Sequence, residues 1–246
     1  MAFKFQDIDF PVREDLCRAY REAWQRLAHP GNWWTAAERI AIAAESRNAL
    51  DCPLCRQRKD PILTYPVEGN HQHLKQLPYA AVDVIHRVVS DTEGINGKWI
   101  NGILSSGLSD GQYVELLGIV VMVFSIDEFN RAIGAAPQPL PEPGTGPADN
   151  YRPPNLETET GFVPMIPADG NTGKEADLWH KGRTGNVIRA LSLVPDAVRD
   201  LLLLSDAQYI SHGEIMAFRP EAGRAIDRMQ IELVAGRVSA LNECFY

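Results

Sequence analysis

Trp34-Thr-Ala-Ala-Glu-Arg-Ile-Ala-Ile-Ala-Ala-Glu-Ser-Arg-Asn-Ala-Leu-Asp-Cys-Pro-Leu-Cys55 is the stretch on which the fold turns. Thr35-Ala-Ala-Glu38 has the form of a capping box, in which a threonine hydroxyl and a glutamate carboxyl satisfy each other's backbone N–H groups at a helix start. The Ala-rich residues behind it continue the helix to about Leu50 and deliver the chain to Cys52. Pro53 fits a first helical turn, so the dithiol stands at the start of a further helix. There the helix dipole lowers one thiol's pKa, and the two sulfurs are close enough for a reducible disulfide.

Outward from this stretch the same helical period recurs. Leu16, Tyr20, Ala23, Trp24 and Leu27 form one stripe between Pro11 and His29. Downstream, Pro78 opens a helix with Val82, Ile85 and Val89 along it, and Trp99, Ile103 and Leu104 mark a short one closed by Gly107. Ser109-Asp-Gly-Gln112 is a second capping box, and the residues after it are apolar nearly all round as far as Gly134, which predicts a central helix. Nine of the 17 prolines then fall between Pro137 and Pro167 and exclude a helix or a central strand there. Beyond them, Asn186 is expected to cap a short helix to Leu191, and Pro195 to open another through Leu204. A closing helix is predicted over 221–242, with two apolar stripes (Ile226, Met229, Leu233, Ala240; Ile231, Val234, Val238, Leu241) that imply enclosure by neighbours. The expected organisation is all-α: residues 1–135 with the dithiol, a Pro/Gly-rich connector over 136–184, and a second helical unit over 185–246 ending in Cys244-Phe245-Tyr246.

The 246 residues carry 45% hydrophobic and 23% charged side chains, ordinary for a folded globular chain. A net charge of −8 disfavours nucleic acid and anionic membrane surfaces as partners. The N terminus has acids among its apolar residues and no apolar run, and Leu116–Phe124 is too short for the ~20 residues of a membrane span. These features make the cytoplasm the expected compartment. Four cysteines are too few for a disulfide scaffold, so a close pair in a reducing compartment points to redox work or metal.

By pattern alone Cys52 and Cys55 admit three readings: a redox pair, half of a zinc site, or two small buried residues. The metal reading takes His71 and His73 as the remaining ligands, although one intervening residue is fewer than the usual three to five. His71 beside the dithiol can otherwise act as a proton donor or acceptor. Glu38 is explained by its capping box. Glu45, on the same helical face seven residues on, is either solvated or aimed at the dithiol. His86 is expected as a core histidine, and Cys17 as a buried structural thiol. Glu232, with Met229 and Gly236 as helical neighbours, is expected to be partly desolvated with a raised pKa, suited either to a proton shuttle or to an interhelical bond.

Gln230-Ile-Glu-Leu-Val-Ala-Gly-Arg-Val-Ser-Ala-Leu-Asn-Glu-Cys244 resembles the active-site helix of the alkylhydroperoxidase D-like, carboxymuconolactone decarboxylase family, with Glu232 and Cys244 on two of its motif positions. Residues 12–134 resemble the same family through Trp34–Ala43 before Cys52-Pro-Leu-Cys55 and through Tyr113-Val-Glu-Leu-Leu-Gly-Ile-Val-Val121. Ile40 and Lys59 depart from it, standing where the family has its glutamate and histidine. The resemblance implies an alkylhydroperoxidase-like helical bundle of two related halves. It also implies a selenocysteine encoded just after Tyr246 as partner to Cys244, with a plain end of the chain as the competing reading.

Carried onto this sequence, the family's chemistry makes Cys55 the thiolate that attacks a peroxide and Cys52 the thiol that resolves the sulfenic acid to a disulfide. Without the family's own relay this pair is expected to be a weaker redox centre, a resolving dithiol, or a relic supported by Glu45 and His71; in the C-terminal site Cys244 resolves with Glu232 as relay. The expected partners are a small peroxide and a thiol reductant, with no cofactor beyond the redox disulfide, and the chain is expected to form a homo-oligomer. Two other classes compete: a non-catalytic helical protein with structural zinc at Cys52, Cys55, His71 and His73, and a cofactor-free decarboxylase-like enzyme.

Overall fold

The computed structural model describes residues 3–59, 67–180, 182–211, 224–242 and 244. Its helices are α1 (Glu14–Leu27), α2 (Ala36–Ala49), α3 (Pro53–Arg58), α4 (Tyr79–Ser90), α5 (Gly97–Ser105), α6 (Asp110–Ala132), α7 (Asn186–Arg189), α8 (Pro195–Gln208) and α9 (Arg228–Leu241). Among the described residues there is no strand, only an isolated bridge between Glu157 and Met165, so the described part of the chain is all-α. No described helix is long and apolar enough to cross a membrane.

Both capping boxes form. The Glu38 carboxylate accepts the Thr35 N–H at 2.8 Å while Thr35 Oγ1 accepts the Glu38 N–H, and Ser109 and Gln112 do the same at the head of α6. α6 is the central element, packed against α2, α4 and α8, which is why its sequence is apolar nearly all round. Where α2 crosses it, the Arg39 guanidinium pairs with the Glu115 carboxylate, both buried.

The proline-rich segment lies on the bundle rather than away from it. Pro139 O accepts the Trp24 indole N–H at 2.9 Å, and Gly144 and Asn150 donate backbone N–H bonds of 2.7 Å to Ala28 and Asn32. Val163, Ile166, Leu178 and Trp179 enter the same apolar core as Leu16 of α1 and Leu204 of α8. One apolar core thus draws residues from 1–135, 136–184 and 185–246 alike. Gly185, not Asn186, occupies the cap of α7, which is only one turn long.

The closing helix departs from expectation. Asp227 caps α9, so the helix starts later than residue 221, and its apolar stripes are not enclosed: Met229 is 81% and Leu233 75% exposed, with Ile231 alone classed as buried. Periodicity reports which residues share a face but not whether another element covers that face. Among the described residues, polar contacts tie this end of the chain to the body, from the Tyr209 hydroxyl to Glu232 on α9 and from the Arg224 guanidinium, ahead of the helix, to the Tyr209 and Ala207 carbonyls.

Candidate dithiol and histidine centre

Cys52 sits at the cap position of α3, its carbonyl accepting the Arg56 N–H at 3.0 Å as the first helical bond. Pro53 follows at the first helical position, and one turn brings Cys55 to the same inner side, where both cysteines are at most 2% exposed. The loop ahead of α4 carries His71 over them, and α4 presents His86 from beneath. His71 Nδ1 lies 3.7 Å from Cys52 Sγ and 3.5 Å from Cys55 Sγ, and His86 Nδ1 lies 3.3 Å from Cys55 Sγ. One donor atom from each of the four side chains falls within 4.8 Å of all the others, and all four residues are buried.

Each imidazole is anchored on its far side by a carboxylate. His86 Nε2 is 2.8 Å from Glu45 Oε1, and His71 Nε2 is 3.0 Å from Asp83 Oδ1. A carboxylate accepts, so each Nε2 carries a hydrogen; a neutral ring then offers its Nδ1 lone pair to the sulfurs, whereas a protonated ring donates Nδ1–H to a thiolate. The carboxylates are themselves fixed: Glu45 accepts the Leu74 N–H and an Asn48 amide N–H, and Asp83 accepts the Trp99 indole N–H at 2.9 Å.

These contacts set the protonation states. Burial works to raise the Cys52 thiol, but the Cys55 backbone N–H, the His71 ring and the Gln72 N–H outweigh it and hold Cys52 below the ordinary thiol range. Burial raises the Cys55 thiol, and the neighbouring Cys52 charge pushes it further the same way. Desolvation lowers His86 against the pull of Glu45, so its ring is neutral at neutral pH. Asp83 is raised by burial but lowered more by the His71 and Trp99 bonds and by Arg87, and stays ionised.

Of the residues singled out in the sequence, Cys52, Cys55, His71 and Glu45 meet here, Glu45 buried and turned inward through His86. His73 does not: it lies outside the cluster, accepting the Lys75 N–H at 3.2 Å. Its place is taken by His86, expected as a core histidine, with Asp83 three residues earlier on the same helix. The signal for His86 was a titratable ring on an otherwise apolar helix face, and nothing local distinguishes that from a packed core histidine. Cys17 is buried in α1 as expected.

Glu232 and Cys244 are not part of the centre. Glu232 is exposed, and the Tyr209 hydroxyl and Arg228 guanidinium hold its carboxyl below the usual range, contrary to the raised value expected. A carboxylate in water beside two donors has every reason to stay ionised. Cys244 is exposed, and Phe245 and Tyr246, which follow it, lie outside the described residues. A cleft of about 470 Å³ lined by Arg26, Arg39, Glu115 and Asp200 has none of the four cluster residues in its wall.

No family model, curated protein or solved structure matches the chain.

Proposed function

We propose that the chain is a thiol-dependent peroxidase or thiol–disulfide oxidoreductase of alkylhydroperoxidase-like character, working through Cys52 and Cys55. The observation that carries this reading is the line Glu45–His86–Cys55, with contacts of 2.8 and 3.3 Å, beside a second thiol whose charge its surroundings favour. It is the arrangement of nucleophile, base and orienting carboxylate that thiol catalysis needs. A Glu and a His from other positions supply what Ile40 and Lys59 do not.

The electrostatics favour Cys52 as the attacking thiolate, reversing the order that the family resemblance implies. Cys52 sulfur attacks the outer peroxide oxygen; an S–O bond forms, the O–O bond breaks, and the alkoxide leaves as alcohol with the proton Cys52 gave up on ionising. Neutral His86, held by Glu45, takes the Cys55 proton. Cys55 sulfur then attacks the Cys52 sulfenic acid, an S–S bond forms, and hydroxide leaves as water with that proton. A dithiol reductant returns two electrons and two protons.

The test is trapping of the intermediate with dimedone after one equivalent of peroxide. Cys55→Ser should accumulate a sulfenic acid at Cys52. Labelling at Cys55 in Cys52→Ser, with none at Cys52 in Cys55→Ser, would restore the family order; labelling in neither variant, with no peroxide consumed by the unaltered chain, would overturn the reading.

A further inference from the structure

A proton relay needs one imidazole, and this centre has two, each with its own carboxylate and each turning Nδ1 toward the same pair of sulfurs. We infer that the reduced centre binds one zinc ion through Cys52 Sγ, Cys55 Sγ, His71 Nδ1 and His86 Nδ1, and that oxidation of the dithiol releases it. Tetrahedral zinc with bonds of about 2.3 Å to sulfur and about 2.0–2.1 Å to nitrogen separates its ligand atoms by about 3.3–3.8 Å. Three of the four sulfur–nitrogen separations here are 3.3, 3.5 and 3.7 Å, and all four ligand atoms lie within 4.8 Å of one another.

The surroundings suit the ion as well as the distances do. Two thiolates neutralise a dication, which removes the main cost of burying it. Glu45 and Asp83 hold the two rings by the far-side bond that ligating histidines generally make, which fixes the tautomer and raises ligand basicity. Two thiolates and two imidazoles in a tetrahedral set favour zinc over magnesium or calcium, which take oxygen ligands. The set is complete within the chain and closed to solvent, the character of a holding site rather than one with an open catalytic position.

Binding and disulfide formation exclude each other, because the disulfide has no thiolate charge left to give. The zinc-bound dithiolate plus a peroxide and two protons yields the disulfide, free Zn²⁺, an alcohol and water. The metal thus shields the dithiol until an oxidant strips it. This inference shares side chains with the peroxidase reading but does not depend on it.

The full chain, reduced under anaerobic conditions and dialysed against zinc, should retain one zinc per chain by elemental analysis. Peroxide should release it, read with a chromogenic chelator, in step with loss of two thiols. Cobalt in place of zinc should give the intense tetrahedral absorption with thiolate charge transfer. Cys52→Ser should retain no zinc; Asp83→Asn, with helicity checked by circular dichroism, should bind about 10- to 100-fold more weakly. Absence of zinc from the reduced chain, a pale octahedral cobalt spectrum, or zinc held equally by Cys52→Ser or by the disulfide form would overturn the inference. Peroxide consumption by the metal-free chain is scored separately, so either reading can fail alone.

Discussion

Glu45 Oε1 stands 2.8 Å from His86 Nε2, joining the inner face of α2 to the inner face of α4 across 41 residues of chain. This contact fixes the His86 tautomer, and on the proposed reading it makes the ring a base and lets α2 and α4 act together on a dithiol that neither contains.

Glu45→Gln keeps an amide oxygen for the His86 N–H and removes the charge behind the ring, while its amide nitrogen then faces the Leu74 N–H, so retained helicity is checked by circular dichroism. Peroxide turnover should fall by about 10- to 100-fold, in line with loss of an outer carboxylate. Unchanged steady-state rates would detach Glu45 from the chemistry.

Alkylation should resolve the two thiols by pH. Iodoacetamide consumes thiolate, so labelling at each cysteine rises with pH through that cysteine's own midpoint. For Cys52, whose charge is favoured, the midpoint should lie below the ordinary thiol value of about 8.5, and for Cys55, whose charge is opposed, above it. Removing the His71 ring by His71→Ala should move the Cys52 midpoint up. Peptide mapping of labelled protein gives both curves, and a reversed order would contradict the assignment of Cys52 as attacker.

How much of this was legible in the sequence differs by distance along the chain. Helix starts were readable because Thr35 with Glu38 and Ser109 with Gln112 are three residues apart, and each box closes within its own turn. The dithiol was readable for the same reason. His86 was not, since its role depends on Cys55 lying 31 residues away, and Asp83 became an anchor only once the loop set His71 over it. Glu45 was visible as a candidate, but whether it faced water depended on α4.

The buried pair of Arg39 and Glu115 should be costly to break from one side. Glu115→Ala leaves the guanidinium in the core and the Trp33 N–H, which donates to Glu115 Oε2 at 2.6 Å, without its acceptor. A loss of about 3–5 kcal/mol is expected in urea denaturation, against about 1 kcal/mol for removing the α2 cap by Thr35→Ala.

On α9 the expectation runs the other way. Leu233→Asp alters a side chain 75% exposed and should change the folding stability of the chain by no more than about 0.5 kcal/mol. A cooperative loss of several times that would mean the helix is covered after all, as its two apolar stripes suggested.

The most direct test of the central claim is a thiol inventory of the reduced, metal-free chain after one equivalent of peroxide, read by peptide mass spectrometry. The account predicts rapid loss of two thiols per peroxide, recovered as a single disulfide between Cys52 and Cys55, with Cys17 and Cys244 still reduced. Peroxide left unconsumed, or thiols lost first at Cys17 or Cys244, would contradict it.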